Sequence, residues 1–285
     1  MEIIAEGLGF PEGPVVMADG SVIVVEIAAC RVTRCWDGRK ETVCEIGGGP
    51  NGAAIGPDGA LWICNNGGMN PDRMVSLLGP AAAGRIERVD LSNGKVERVY
   101  DSCDGIPLEG PNDLIFDALG RLWFTDLGKS HSRIRTASGL FCCELGGTEI
   151  TAIDRHPISY NGIGLSPDGG TVYVADTHQA RLYRYHCKLE AQRPAWVATA
   201  PGHVSFDSLA VTEAGNICVG TLRIGGITTI TPDGATSFRA FEDRFVTNIA
   251  FGGADMQDAW LTFSTRGLLV KVRWDEPGLK LNFNA

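Results

Sequence analysis

The chain has no apolar run of the roughly 18 residues that a membrane-crossing helix needs. Its first residues, Met1–Pro11, lack the basic segment followed by an apolar stretch that marks a secretion signal. Positive charge is in deficit as well: 25 Lys and Arg stand against 34 Asp and Glu, a net charge of -9. Nucleic acid and anionic membrane each require a basic face, so neither is expected as a partner. No CxxC pair occurs among the nine cysteines, which argues against a zinc knuckle. An odd number of scattered cysteines, several inside apolar runs, reads as reduced thiols in a cytoplasmic protein. A convincing amphipathic helix of three turns is also missing.

Glycine is abundant. The 37 glycines in 285 residues are about twice the usual share, which implies many turns and many short strands. At 44% hydrophobic residues the chain can bury a substantial core and is not disordered.

The turns follow a repeat. A polar residue and an apolar stretch lead to a glycine eight positions later, and a second apolar strand follows. Glu12 leads to Gly20, Asn51 to Gly59, Asn112 to Gly120, Asn161 to Gly169 and Asp207 to Gly215. A looser sixth copy starts at Asn248, ahead of Ala259–Phe263. The glycines are 39, 61, 49 and 46 residues apart (59−20, 120−59, 169−120, 215−169). A four-stranded propeller blade takes roughly 40 to 50 residues. Hairpin signals supply the outer strands: Trp36-Asp-Gly-Arg, Leu91-Ser-Asn-Gly, Leu145-Gly-Gly-Thr and Thr231-Pro-Asp-Gly, flanked by runs with a period of two. The expected fold is therefore all-β: a six-bladed β-propeller with four-stranded antiparallel blades, residues 1–285 forming one domain. Glu2–Ala5 precede the first blade and should pair with carboxy-terminal strands to close the ring.

In a propeller the innermost strands line the central channel, so equivalent positions converge on the axis. The repeat thus predicts a ring of Glu12, Asn51, Asn112, Asn161, Asp207 and Asn248. Asn-Gly and Asp-Ser are also ordinary turn formers. Recurrence at one offset, with a Glu heading the first copy, favours convergence instead. Two carboxylates in a confined site repel unless a cation joins them, and carboxylate and amide oxygens suit a hard divalent ion. Calcium, magnesium or manganese fits such a set, and calcium is the ion expected. Zinc is less suited because the ring has no His or Cys.

These phrases resemble the gluconolactonase and senescence-marker-protein (regucalcin) family of six-bladed propellers. The likeness rests on Glu12-Gly-Pro, Gly110-Pro-Asn-Asp-Leu-Ile-Phe-Asp with Leu122-Trp-Phe-Thr-Asp126, Tyr160-Asn-Gly-Ile-Gly-Leu-Ser-Pro-Asp-Gly, Tyr173-Val-Ala-Asp-Thr and Asp207-Ser. It implies one divalent metal held by Glu12, Asn161 and Asp207, with Asn112 as ligand or substrate contact. It also implies hydrolysis of a lactone, often a sugar lactone, with Asp207 as general base or nucleophile. Asn51, Asn112 and Asp126 are the expected substrate-binding residues. Two departures touch the substrate. Gly110 stands where regucalcin-type members carry Arg, and no acid near Ser130 matches the one they use for sugar hydroxyls. Other readings are a metal-stabilised propeller that binds without catalysis, and an esterase or organophosphate hydrolase at the same metal. The lactone's identity and the oligomeric state are not legible.

Three smaller features complete the reading. The long segment Asn65–Leu108, with Asn66-Gly-Gly-Met-Asn-Pro, is either a roof over the site or a surface excursion. His203 reads as an ordinary surface histidine. Vicinal Cys142 and Cys143 should point to opposite faces of their strand, one in and one out.

Overall fold

A computed structural model describes residues 1–70, 75–146 and 149–283. Six four-stranded antiparallel sheets form a closed propeller, with one short 3-10 turn at Pro80–Ala82 as the only helix among the described residues. The innermost strands are Pro11–Val16, Pro50–Ile55, Pro111–Phe116, Tyr160–Leu165, Ser205–Val211 and Val246–Gly252. Glu2–Ala5 pairs antiparallel with Leu268–Arg273 as the outermost strand of the sixth blade. The first strand in sequence thus completes the last blade, as expected. Part of the proposed Leu145-Gly-Gly-Thr turn, Gly147 and Thr148, lies outside the described residues.

Each blade packs both faces against neighbours, and six apolar clusters fill the six seams. Ala54, Trp62 and Ile86 of blade two meet Leu114, Phe124 and Phe141 of blade three. Blades six and one meet through Trp260, Leu269, Val16 and Val24. This two-sided burial corrects the reading of the vicinal cysteines. Cys142 and Cys143 do point to opposite faces, but Cys142 packs toward blade four and Cys143 toward blade two, and both are buried. A strand in the middle of a seamed ring has no wet face.

The five phrase glycines all have positive φ, from 67 to 87, and an added Cβ meets nothing closer than 3.4 Å at any of them. Backbone conformation, not crowding, selects glycine there. In blade six that place is taken by Met256, eight residues after Asn248, at φ 57. The sixth copy looked loose because its turn lacks the glycine.

The carboxy-terminal tail turns back beneath the ring. Glu213 N donates to Pro277 O, Gly278 N to Met256 O and Leu279 N to Val211 O. Asn282 Nδ2 then reaches Phe116 O at 2.9 Å, and Phe283 meets Phe116 edge to face. The tail therefore ties blades five, six and three at the end of the channel opposite the polar ring.

Candidate functional site at the channel mouth

Every innermost strand breaks register at its polar phrase. The shifts fall between Glu12 and Val15, Pro50 and Ala53, Pro111 and Leu114, Tyr160 and Ile163, Phe206 and Leu209, and Val246 and Asn248. These are β-bulges, which bend a strand and re-aim a side chain. The residue after the polar one is glycine in three blades because the next blade's backbone passes there. A Cβ on Gly13 would lie 2.5 Å from Asn51 O, and one on Gly162 would lie 2.6 Å from Asp207 O. The recurring Asn-Gly is a bulge at a blade-to-blade contact, not a turn.

A cavity of about 620 Å³ opens at this end, and Glu12, Asn51, Asn112, Asn161 and Asp207 all line it. Asn248 does not. Its Oδ1 accepts from Ile249 N at 2.8 Å and its Nδ2 donates to Glu12 Oε2 at 3.1 Å. The bulge of blade six sits one step earlier, so Asn248 orients Glu12 instead of joining the ring.

Glu12, Asn112 and Asn161 are nearly inaccessible, while Asp207 is half-buried. Burial pushes Glu12 up to about 7, against hydrogen bonds from Asn248, Thr247 and Gly13 N. Burial also raises Asp207 well above the usual carboxylate range, and the charge of Glu12 raises it further; a hydrogen bond from Asn161 opposes both. Asn161 Nδ2 donates to Thr177 Oγ1 at 2.9 Å, which fixes the amide. Its Oδ1, like Asn112 Oδ1, is buried with no partner among the described residues. Two unpartnered amide oxygens beside two carboxyls that resist ionisation make a set of oxygen donors suited to holding a hard divalent cation. Among the described residues no three His, Cys, Asp or Glu side chains gather as a metal cage; the set is half amide.

Asp126, expected as a substrate contact, is placed behind the cavity wall. It is fully buried and does not line the cavity. Its carboxylate accepts from Glu109 N at 2.8 Å, Gly110 N at 2.7 Å and Gly128 N at 2.9 Å. Asp126 pairs across the ladder with Pro111, and the same register places Glu26 opposite Pro11 and Asn65 opposite Pro50. Glu26 accepts from Gly9 N and Asn65 from Gly49 N. A second repeat, one strand outward, therefore braces the segment entering the bulges of blades one, two and three. Asp126→Ala strands three buried donors and should cost about 3 kcal/mol or more, read from the midpoint of urea unfolding.

The described residues of the long segment after Asn65 form one wall; residues 71–74, with the proline of its Asn66-Gly-Gly-Met-Asn-Pro phrase, lie outside the described residues. Asn66, Met69 and Val75 line the cavity, and Lys129 Nζ holds the segment through Asn66 O and Ala82 O. His203 is exposed, as expected. Arg135, His178, Arg223 and Arg244 also line the mouth and were not singled out from sequence. They sit on loops outside the repeat, where spacing carries no signal.

The pattern of the family described as SMP-30/Gluconolactonase/LRE-like region matches residues 10–265. A gluconolactonase of Zymomonas mobilis is 26% identical over 202 residues, 63% of this chain and 52% of that protein. A lactonohydrolase of Aspergillus oryzae is 25% identical over 256 residues, 78% of this chain and 56% of that one. The chain thus spans about half the length of these relatives. Among solved structures, a gluconolactonase of Xanthomonas campestris superposes with a TM-score of 0.77 at 20% identity, covering 95% of this chain and 88% of that one. The calcium-binding protein regucalcin of Agrobacterium tumefaciens gives 0.74 at 18%, covering 99% and 100%. At such identities the two structures speak to the fold.

Proposed function

This chain belongs to the SMP-30/gluconolactonase/LRE-like family, and from that membership we propose that it is a divalent-metal-dependent lactone hydrolase. The observation that carries the reading is the pair of orphaned oxygens, Asn112 Oδ1 and Asn161 Oδ1, beside the raised carboxyls of Glu12 and Asp207. Lactone hydrolysis by relatives from Zymomonas and Aspergillus supports the reaction class. The calcium-binding structural neighbour favours calcium.

A divalent ion among Glu12, Asn112, Asn161 and Asp207 would offset the two negative charges and polarise the lactone carbonyl. The protein's own groups do the rest. Glu12 is held from two sides by Gly13 N and Asn248 Nδ2, so its oxygens keep one orientation. Asn161, locked by Thr177, turns its free oxygen inward. Asp207 is the acid best placed to take a proton. Water adds to the carbonyl carbon, Asp207 accepts its proton, and the ring carbon–oxygen bond breaks. The proton then passes to the leaving alkoxide, giving the open hydroxy acid. Asn51, at the cavity wall, contacts substrate. Gly110 lines the mouth without a side chain, and a Cβ there would lie 2.4 Å from Gly128 O.

Metal content and lactone turnover, measured on one chelated and then calcium-reconstituted sample, test this reading. Turnover should disappear with the ion and return with it. Activity that survives complete chelation would refute metal dependence. No turnover of sugar, aliphatic or aromatic lactones by the ion-loaded protein would leave a binding module.

A further inference from the structure

The charge of the mouth runs against that of the chain. The whole carries -9, yet Glu12 and Asp207 are the only acids lining the cavity among the described residues, and both lie in the ring. Above them stand Arg135, Arg223 and Arg244, all exposed. None of the three forms an ion pair among the described residues. An arginine whose only task is solubility ordinarily faces outward and finds a carboxylate in a chain this acidic.

Arg223 is also constrained. It has φ 80, a costly conformation for a residue with a side chain, of the kind that gathers at binding sites. Its Nε donates to Ser205 Oγ at 3.0 Å and its Nη1 lies 2.9 Å from His203 Nε2. Ser205 is two residues before Asp207 on the same inner strand, so the guanidinium is anchored above the ring with further N–H donors unspent. Burial lowers His178 below the usual histidine range, and the charges of Arg135 and Arg223 lower it more. The two arginines, from blades three and five, thus converge on the same residue of blade four.

We propose that Arg135, Arg223 and Arg244 form an anion-recognising rim, and that the substrate is a lactone bearing a free carboxylate, such as the monolactone of a sugar diacid. This rests on the lactone-hydrolase reading and names the substrate class within it. The ring-opening carbonyl sits over Asp207, and the second carboxylate reaches the guanidinium rim, where paired N–H donors match its two oxygens. An ion at the ring balances Glu12 and Asp207, leaving the rim's positive charge to set the field felt by an approaching anion.

The test compares the monolactone of a six-carbon sugar diacid with the methyl ester of the same lactone, which has equal ring chemistry and no charge. Wild type should favour the acid in kcat/KM, and added salt should narrow the preference. Arg223→Gln should reduce the acid-to-ester ratio about tenfold, and Arg135→Gln and Arg244→Gln should move it in the same direction. Arg98→Gln makes the same change in net charge on an outer strand and should leave the ratio unchanged. Equal use of acid and ester, with no response in the three rim variants, overturns the proposal while lactone hydrolysis stands. A ratio that falls as far in Arg98→Gln overturns it too, since net charge alone would then explain it. Hydrolysis of neither compound, nor of any neutral lactone, removes the hydrolase reading itself.

Discussion

Asp207→Asn, assayed with its ion at wild-type occupancy, should lose about 10²–10⁴-fold in lactone turnover. The substitution keeps the size of the side chain and an oxygen that can face a cation. What it removes is basicity, because an amide does not take a proton from water at neutral pH. Little else changes around it: Asp207 receives a hydrogen bond from Asn161, and an amide oxygen can receive the same bond. Folding should hold or improve in the metal-free protein, since an acid raised by burial and by the charges of Glu12 and Asp113 is gone. Turnover under saturating calcium, with bound metal measured separately, separates basicity from occupancy. Full activity in the loaded variant would remove Asp207 from proton transfer.

Glu12→Gln should weaken calcium binding about a hundredfold, well beyond the effect of Asn51→Ala. Glu12 supplies a formal charge that two hydrogen bonds hold in place, whereas Asn51 supplies a neutral amide. The pH profile distinguishes this loss from a general loosening of the site. In the metal-free protein Glu12 is raised to about 7, so below that pH an entering ion must displace a proton. Calcium affinity should therefore climb as pH rises toward about 7, and the climb should flatten in Glu12→Gln. Stability of the metal-free protein runs the other way. The folded state holds the Glu12 proton more tightly than the unfolded chain does, so this contribution is complete below the ordinary value of 4.5 and is lost as pH rises through about 7. Calorimetric titration across pH, on wild type and both variants, checks all of this. Equal affinities in the three proteins would mean that Glu12 is not a ligand.

Much of this protein was legible because a propeller repeats itself. One offset, from a polar residue to a turn glycine, counted the blades and pointed to the side chains that converge at the axis. The offset also misled in places. It ranked Asn248 with the ring, although the bulge of blade six falls between Val246 and Asn248 and turns that amide onto Glu12. It gave no hint of the bulges, which depend on how neighbouring blades approach at Gly13, Gly52 and Gly162. Asp126 was read as a substrate contact because it ends a strand near the mouth. Sequence does not show that three backbone N–H groups already claim its carboxylate. Arg135, Arg223 and Arg244 were invisible for the opposite reason. Arg135 and Arg223 lie on the connections between second and third strands of blades three and five, which differ in length, and Arg244 on the link from blade five to blade six; only closure of the ring brings the three together.

The tail beneath the ring has a consequence for traffic. Leu279 and Leu281 help wall off the inner end of the channel, where a void of about 80 Å³ remains, room for a few water molecules and no more. The larger cavity opens at the mouth lined by Arg135, Arg223 and Arg244. If the protein is the lactone hydrolase proposed, incoming lactone, outgoing hydroxy acid and water would share that mouth, and a departing product would pass Arg135, Arg223 and Arg244. On the proposed function, a ring-opened diacid would carry one more negative charge than the lactone it came from, so the rim that would draw the substrate in would also hold back the product.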